Sequence, residues 1–111
     1  GEPLAEAPGA RAAAKFIEKP PREAAEAMLA AGSHVWNAGI FLLRADALLA
    51  QMGAHAPAML AACEAAMAGA VHDGALVRPE AAAFAACPSD SIDYAVMERA
   101  SRRAVVPASF D

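Results

Sequence analysis

Residues 35–43, Val-Trp-Asn-Ala-Gly-Ile-Phe-Leu-Leu, decide the fold class. The run is the most strand-like in the sequence, which predicts a strand. Side chains on a strand alternate faces. Trp36, Ala38, Ile40 and Leu42 then share one face, and Val35, Asn37, Gly39, Phe41 and Leu43 the other. Asn37 and Gly39 become neighbours, about 7 Å apart by strand rise. Asn37 is the only asparagine, and its amide both donates and accepts. Gly39 has no side chain, so a ligand or another backbone can come close. The pair suits a polyhydroxyl ligand. It also suits a plain structural role, in which Asn37 ends a ladder or bonds a turn and Gly39 marks a bulge.

Working outward, residues 15–19 (KFIEK) read as a second strand that stops at Pro20-Pro21, and 104–106 as a third, ended by Pro107. Between them the pattern is helical. A helix is predicted over 22–31, with Met28 and Leu29 inward and Gly32 in the C′ position. Others follow over 45–52, ended by Gly53, and 57–70, with Leu60, Cys63, Met67 and Val71 as its apolar stripe. A short helix over 79–86 opens at Pro79. The last, over 92–101, is capped by Asp90 or Ser91 and turns Ile92, Ala95 and Val96 inward. Residues 1–14 read as an irregular lead-in and 73–79 as a loop at Asp73-Gly74. Strands interleaved with helices imply α/β architecture, helix-rich with two or three strands.

Composition limits the core. The 111-residue chain is 58% hydrophobic, but 34 residues are alanine and only 30 are larger apolar side chains. Burial contributes roughly 25 cal/mol per Å², and alanine offers little area. A large, self-sufficient aliphatic core is excluded, and so is compositional disorder. A net charge of -4 and scattered basic residues argue against nucleic acid as a partner. No apolar run approaches the ~20 residues of a membrane helix, and residues 1–10 do not read as a signal peptide. Cys63 and Cys87 lie in alanine-rich segments, where reduced thiols in a cytoplasmic protein are expected. His34, His55 and His72 have no metal-ligand spacing, so no zinc site is expected. No glycine-rich phosphate loop and no GxSxG elbow is present.

Two further segments carry candidate chemistry. In Glu18-Lys19-Pro20, a carboxylate can accept from two vicinal hydroxyls, and an adjacent ammonium can hold a phosphate. Pro20 favours extended geometry at Lys19. Without a ligand the same residues are a solvated charge pair at a strand end. In Ser91-Ile92-Asp93-Tyr94-Ala95-Val96-Met97-Glu98, Asp93 falls in the first turn, where the helix dipole favours an anion. A plain capped amphipathic helix fits as well.

Taken together and in order, FIEKP at 16–20, WNAGIF at 36–41 and SIDYAVME at 91–98 resemble the mannose-1-phosphate guanylyltransferases (GDP-mannose pyrophosphorylases), in the bacterial type also found fused to phosphomannose isomerase. HAPAM at 55–59 resembles a further family segment. The resemblance implies part of a Rossmann-like, mixed-sheet nucleotide-diphospho-sugar transferase domain. It implies residues 1–111 as a single partial domain, the sugar-phosphate-binding half, inactive in isolation. It also implies transfer of a guanylyl group from GTP to mannose 1-phosphate with a divalent cation, Mg. By the same resemblance Glu18 binds mannose hydroxyls, and Lys19, the catalytic candidate, binds the sugar's phosphate. Asn37 and Gly39 line the sugar pocket, and Asp93 touches ligand or supports it. The family's nucleotide loop and metal-binding aspartates match nothing in this sequence, so no metal ligand is assigned, Asp111 included. A homo-oligomer is compatible with the pattern. Two alternatives stand beside this reading: a related sugar-1-phosphate nucleotidylyltransferase, and a non-catalytic alanine-rich interaction domain.

Overall fold

The computed structural model describes residues 1–109; Asp111 lies outside the described residues. The described residues divide into two compact units, residues 1–42 with 100–109, and residues 43–99.

In the first unit, strand β1 (Arg11–Ala12) pairs antiparallel with β4 (Ala104–Val105), placing Arg11 opposite Val105 and Ala12 opposite Ala104. The Ala13 N–H donates to the Arg103 carbonyl at 2.9 Å, and the Arg103 guanidinium donates to the Ala14 carbonyl at 3.1 Å. The predicted strand at 104–106 is therefore real, and its partner comes from the lead-in. Helix α1 (Arg22–Ala31) follows Pro20-Pro21 and ends where expected. Gly32 takes φ 66° and its N–H donates to the Leu29 carbonyl at 3.1 Å. Without a Cβ, glycine enters this left-handed cap freely. Ala24, Ala25 and Met28 form the half-buried stripe, whereas Leu29, predicted inward, is exposed.

The two expected strands at 15–19 and 35–43 are absent. A strand persists through its hydrogen-bonded neighbours, and neither segment has a ladder partner among the described residues. Each also contains a residue outside extended geometry: Lys19 at φ 47° and Gly39 at φ 69°. Trp36 is 76% exposed, and Leu42 is fully exposed.

In the second unit, α2 (Ala45–His55) runs straight through Gly53, which was expected to end it. Leu48, Gln51, Met52 and His55 form its half-buried stripe, and it packs against α3 (Pro57–Ala68). Pro57 opens α3 as predicted, since its missing N–H costs nothing there. The stripe of α3 is Met59/Leu60, Ala62/Cys63 and the buried Ala66; Met67 and Val71 face outward. Hairpin β2 (Val71–Asp73) and β3 (Leu76–Arg78) replaces the predicted loop. Gly74, at φ 59°, takes the first central position of the turn, the demand of a type II′ hairpin.

Helix α4 (Ala81–Ala85) packs on α3. Its N-cap is Glu80, whose carboxylate accepts from the N–H groups of Ala82 at 2.9 Å and Ala83 at 2.6 Å. These bonds hold its pKa below the usual carboxylate range. The predicted helix over 92–101 is instead a π-helical turn, Asp93–Met97, in which the Glu98 N–H reaches the Asp93 carbonyl at 3.0 Å. Ala95 and Val96 are buried in it, as expected. Few side chains are buried: Ala10 and Ala100 in the first unit, and Ala66, Ala95 and Val96 in the second, where Val96 is the one fully buried larger side chain among the described residues.

Candidate functional site

The first unit holds four of the five candidate residues. FIEKP and WNAGIF meet through their aromatic members: the Phe16 and Phe41 rings pack with centroids 6.4 Å apart at 40°. Sequence reasoning missed this contact. The available signal was an aromatic residue at one flank of each motif. Aromatic pairs of this kind contribute about 0.5–1.5 kcal/mol beyond their area.

Glu18 is half-buried and Lys19 exposed. Lys19 is not extended, contrary to expectation. Its φ of 47° makes it the only non-glycine residue with positive φ among the described residues. A left-handed lysine costs on the order of 1–3 kcal/mol and persists only where its surroundings over-determine it. The conformation turns the chain sharply into Pro20.

Asn37 and Gly39 are not same-face neighbours on a strand. The Asn37 Oδ1 accepts from the Gly39 N–H at 2.9 Å, closing a local turn with Gly39 left-handed. Asn-x-Gly is the pattern for such a turn, because a short amide side chain can mimic a backbone carbonyl. The turn alternative read from the sequence therefore holds for this pair. No atom lies within 4 Å of where a Gly39 Cβ would stand, so the space over this glycine is open.

Asp93 belongs to the second unit and begins the π-helical turn. The Ser91 Oγ accepts from the Tyr94 N–H at 3.4 Å, and the Asp90 carboxylate accepts from the Ser91 N–H at 2.9 Å. Ser91 thus bonds an N–H of the first turn, whereas Asp90 bonds only the amide of Ser91 ahead of it. Single π turns occur frequently at functional sites.

Each unit also has a shallow pocket. One, of 330 Å³, is lined by His34, Val35, Trp36, Val106, Pro107 and Ala108. The other, of 270 Å³, includes His55, Met59, Asp90 and Arg99. None of the five candidate residues lines either one. Among the described residues, no three His, Cys, Asp or Glu side chains gather as a metal site would require. No helix among them is long and apolar enough to cross a membrane.

Comparison with known proteins agrees with the motif reading. The chain is 48% identical over 94 residues to "Mannose-1-phosphate guanylyltransferase ManC" of Salmonella typhimurium, covering 85% of this chain and 20% of that protein. It is 46% identical, over the same shares, to "Alginate biosynthesis protein AlgA" of Pseudomonas aeruginosa. It is 44% identical over 89% of its length to "Xanthan biosynthesis protein XanB" of Xanthomonas campestris, covering 21% of that protein. The chain thus spans about a fifth of the length of these relatives. No solved structure gives a significant match. The family model described as nucleotidyl transferase matches residues 4–82, well over half of the sequence, and the chain belongs to that family.

Proposed function

We propose that residues 1–111 form the sugar-phosphate-binding part of a nucleotidyl transferase domain, in an enzyme that makes GDP-mannose and pyrophosphate from GTP and mannose 1-phosphate. The observation that carries this reading is the identity of 48% with a mannose-1-phosphate guanylyltransferase over 85% of the chain. The family match runs from the first compact unit into the second, which supports reading both as one partial domain.

The chemistry joins two anions. A phosphate oxygen of the sugar phosphate attacks the α-phosphorus of the nucleotide, and pyrophosphate leaves. Positioning and charge neutralisation dominate such a reaction, with little covalent work for the protein. Lys19 supplies a point charge for the sugar's phosphate, and its strained backbone supports a role beyond solvation. Glu18 accepts from vicinal mannose hydroxyls. The open space over Gly39 admits the sugar ring against backbone, with Asn37 holding that turn in shape. Asp93 contacts ligand or supports the pocket wall. The family resemblance also implies a divalent cation. We place the ligands of that cation outside this segment and assign none to Glu18, Lys19, Asn37, Gly39 or Asp93.

The test is Lys19→Met in the full-length enzyme. The expected result is a rise in KM for mannose 1-phosphate of tenfold or more, the equivalent of one charge-assisted contact of about 1.5–3 kcal/mol, with KM for GTP little changed. Equal losses for both substrates would remove Lys19 from this role.

A further inference from the structure

The second unit brings its two cysteines together. Cys63 lies in the inward stripe of α3, and Cys87 follows the end of α4; both are half-buried free thiols. The Cys87 Sγ lies 4.0 Å from the Met59 carbonyl oxygen, one helical turn before Cys63, and 3.6 Å from the Pro88 carbonyl oxygen. Residues four apart stack on one helix face, so the Cys87 sulfur sits against the turn of α3 that carries Cys63. Packing of α4 on α3 holds it there. Burial pushes the Cys87 thiol up, and the neighbouring Cys63 pushes it further, by charge and through a thiol–thiol hydrogen bond.

We propose that Cys63 and Cys87 are a redox-sensitive pair, closing to a disulfide on exposure to a peroxide-class oxidant and tying α3 to the segment after α4. The step balances. One thiolate sulfur attacks a peroxide oxygen, the O–O bond breaks, and a sulfenic acid forms with loss of water or alcohol. The second thiol attacks that sulfur, the S–O bond breaks, the S–S bond forms, and water leaves. The two thiols supply two electrons in all, and the oxidant accepts them. Closure forms an S–S bond of about 2.05 Å. The ring so formed encloses hairpin β2–β3 and α4, and it restrains the unfolded chain more than the folded one. The assignment does not depend on the proposed function.

The test uses the full-length protein, treated with hydrogen peroxide and then alkylated without reductant. Proteolytic cleavage after Glu64 and Glu80 separates the two cysteines. The expected product is a linked pair of peptides carrying Cys63 and Cys87, lighter by two hydrogens than their sum and lost after dithiothreitol. Cys63→Ser and Cys87→Ser should each abolish it. Peroxide treatment that leaves both cysteines alkylated, over-oxidised separately, or joined only to other chains would overturn the proposal. Because the linked peptide is read in the unsubstituted protein, poor folding of a serine variant does not affect the outcome.

Discussion

Substitution of Gly39 separates a backbone role from a ligand role. Gly39 stands at φ 69°, and its N–H donates to the Asn37 side chain. A Cβ added there meets no atom within 4 Å, so Gly39→Ala carries no packing penalty within the chain. What remains is the left-handed conformation, which costs an ordinary L-residue about 1–2 kcal/mol. In a domain of the relatives' type this lowers Tm by roughly 2–4 °C per kcal/mol. Asparagine tolerates the left-handed region, so Gly39→Asn should recover most of that stability. If the sugar ring rests against Gly39, any side chain obstructs it. Both variants of the full-length enzyme should then show KM for mannose 1-phosphate raised by tenfold or more, the equivalent of about 1.4 kcal/mol, with KM for GTP nearly unchanged. Calorimetry gives the stabilities, and initial rates with each substrate varied in turn give the constants. A Gly39→Asn enzyme with normal KM for mannose 1-phosphate would refute the reasoning and leave Gly39 as a turn residue only.

Gly69→Ala should destabilise the second unit by about 1–3 kcal/mol through overpacking, because its Cβ would stand 2.9 Å from the Glu80 Cβ; Gly69 itself has an ordinary φ of -91°, and an unchanged or higher denaturant midpoint would contradict this. Glu80, whose pKa is lowered by the Ala82 and Ala83 N–H groups, stabilises α4 above the unfolded-state glutamate pKa and loses that contribution as pH falls through its folded value. Amide exchange at Ala82 and Ala83 should therefore quicken, relative to neighbouring amides, as pH falls below the usual carboxylate range, and Glu80→Gln should remove this dependence. The isolated 111-residue chain, with Val35, Trp36, Ile40 and Leu42 exposed, should self-associate by sedimentation. Leu42→Lys should reduce that association, and a monomer that is highly stable at high concentration would count against it.

The parts legible from sequence are those made by local hydrogen bonds. Helix α1 and its Gly32 cap, the Pro57 start of α3 and the Ser91 cap each depend on residues within one turn, and each forms where the local pattern predicts it. The three motifs were legible too, because side-chain type and order carry them. The Asn37–Gly39 turn was readable as one of two alternatives, and the choice required knowing whether the segment had a strand partner.

Composition by itself limited the core, since 34 of the 64 hydrophobic residues are alanine; that Val96 alone of the larger side chains is fully buried among the described residues, while Trp36, Ile40 and Leu42 stay exposed, was decided by packing. Sequence motifs determined the family as well, and the comparisons agree. Tertiary structure alone decided the rest. Residues 35–43 have every local mark of a strand, yet a strand exists only where another backbone answers its hydrogen bonds, and none does among the described residues. The phase of the α3 stripe, which turned Met67 and Val71 outward, was set by α2 and α4 rather than by the apolar pattern of α3. The left-handed Lys19, the Phe16–Phe41 contact and the approach of Cys87 to α3 join or strain residues in ways no local rule encodes. Local propensity acts over a few residues, whereas these features depend on surfaces that meet only when distant segments pack.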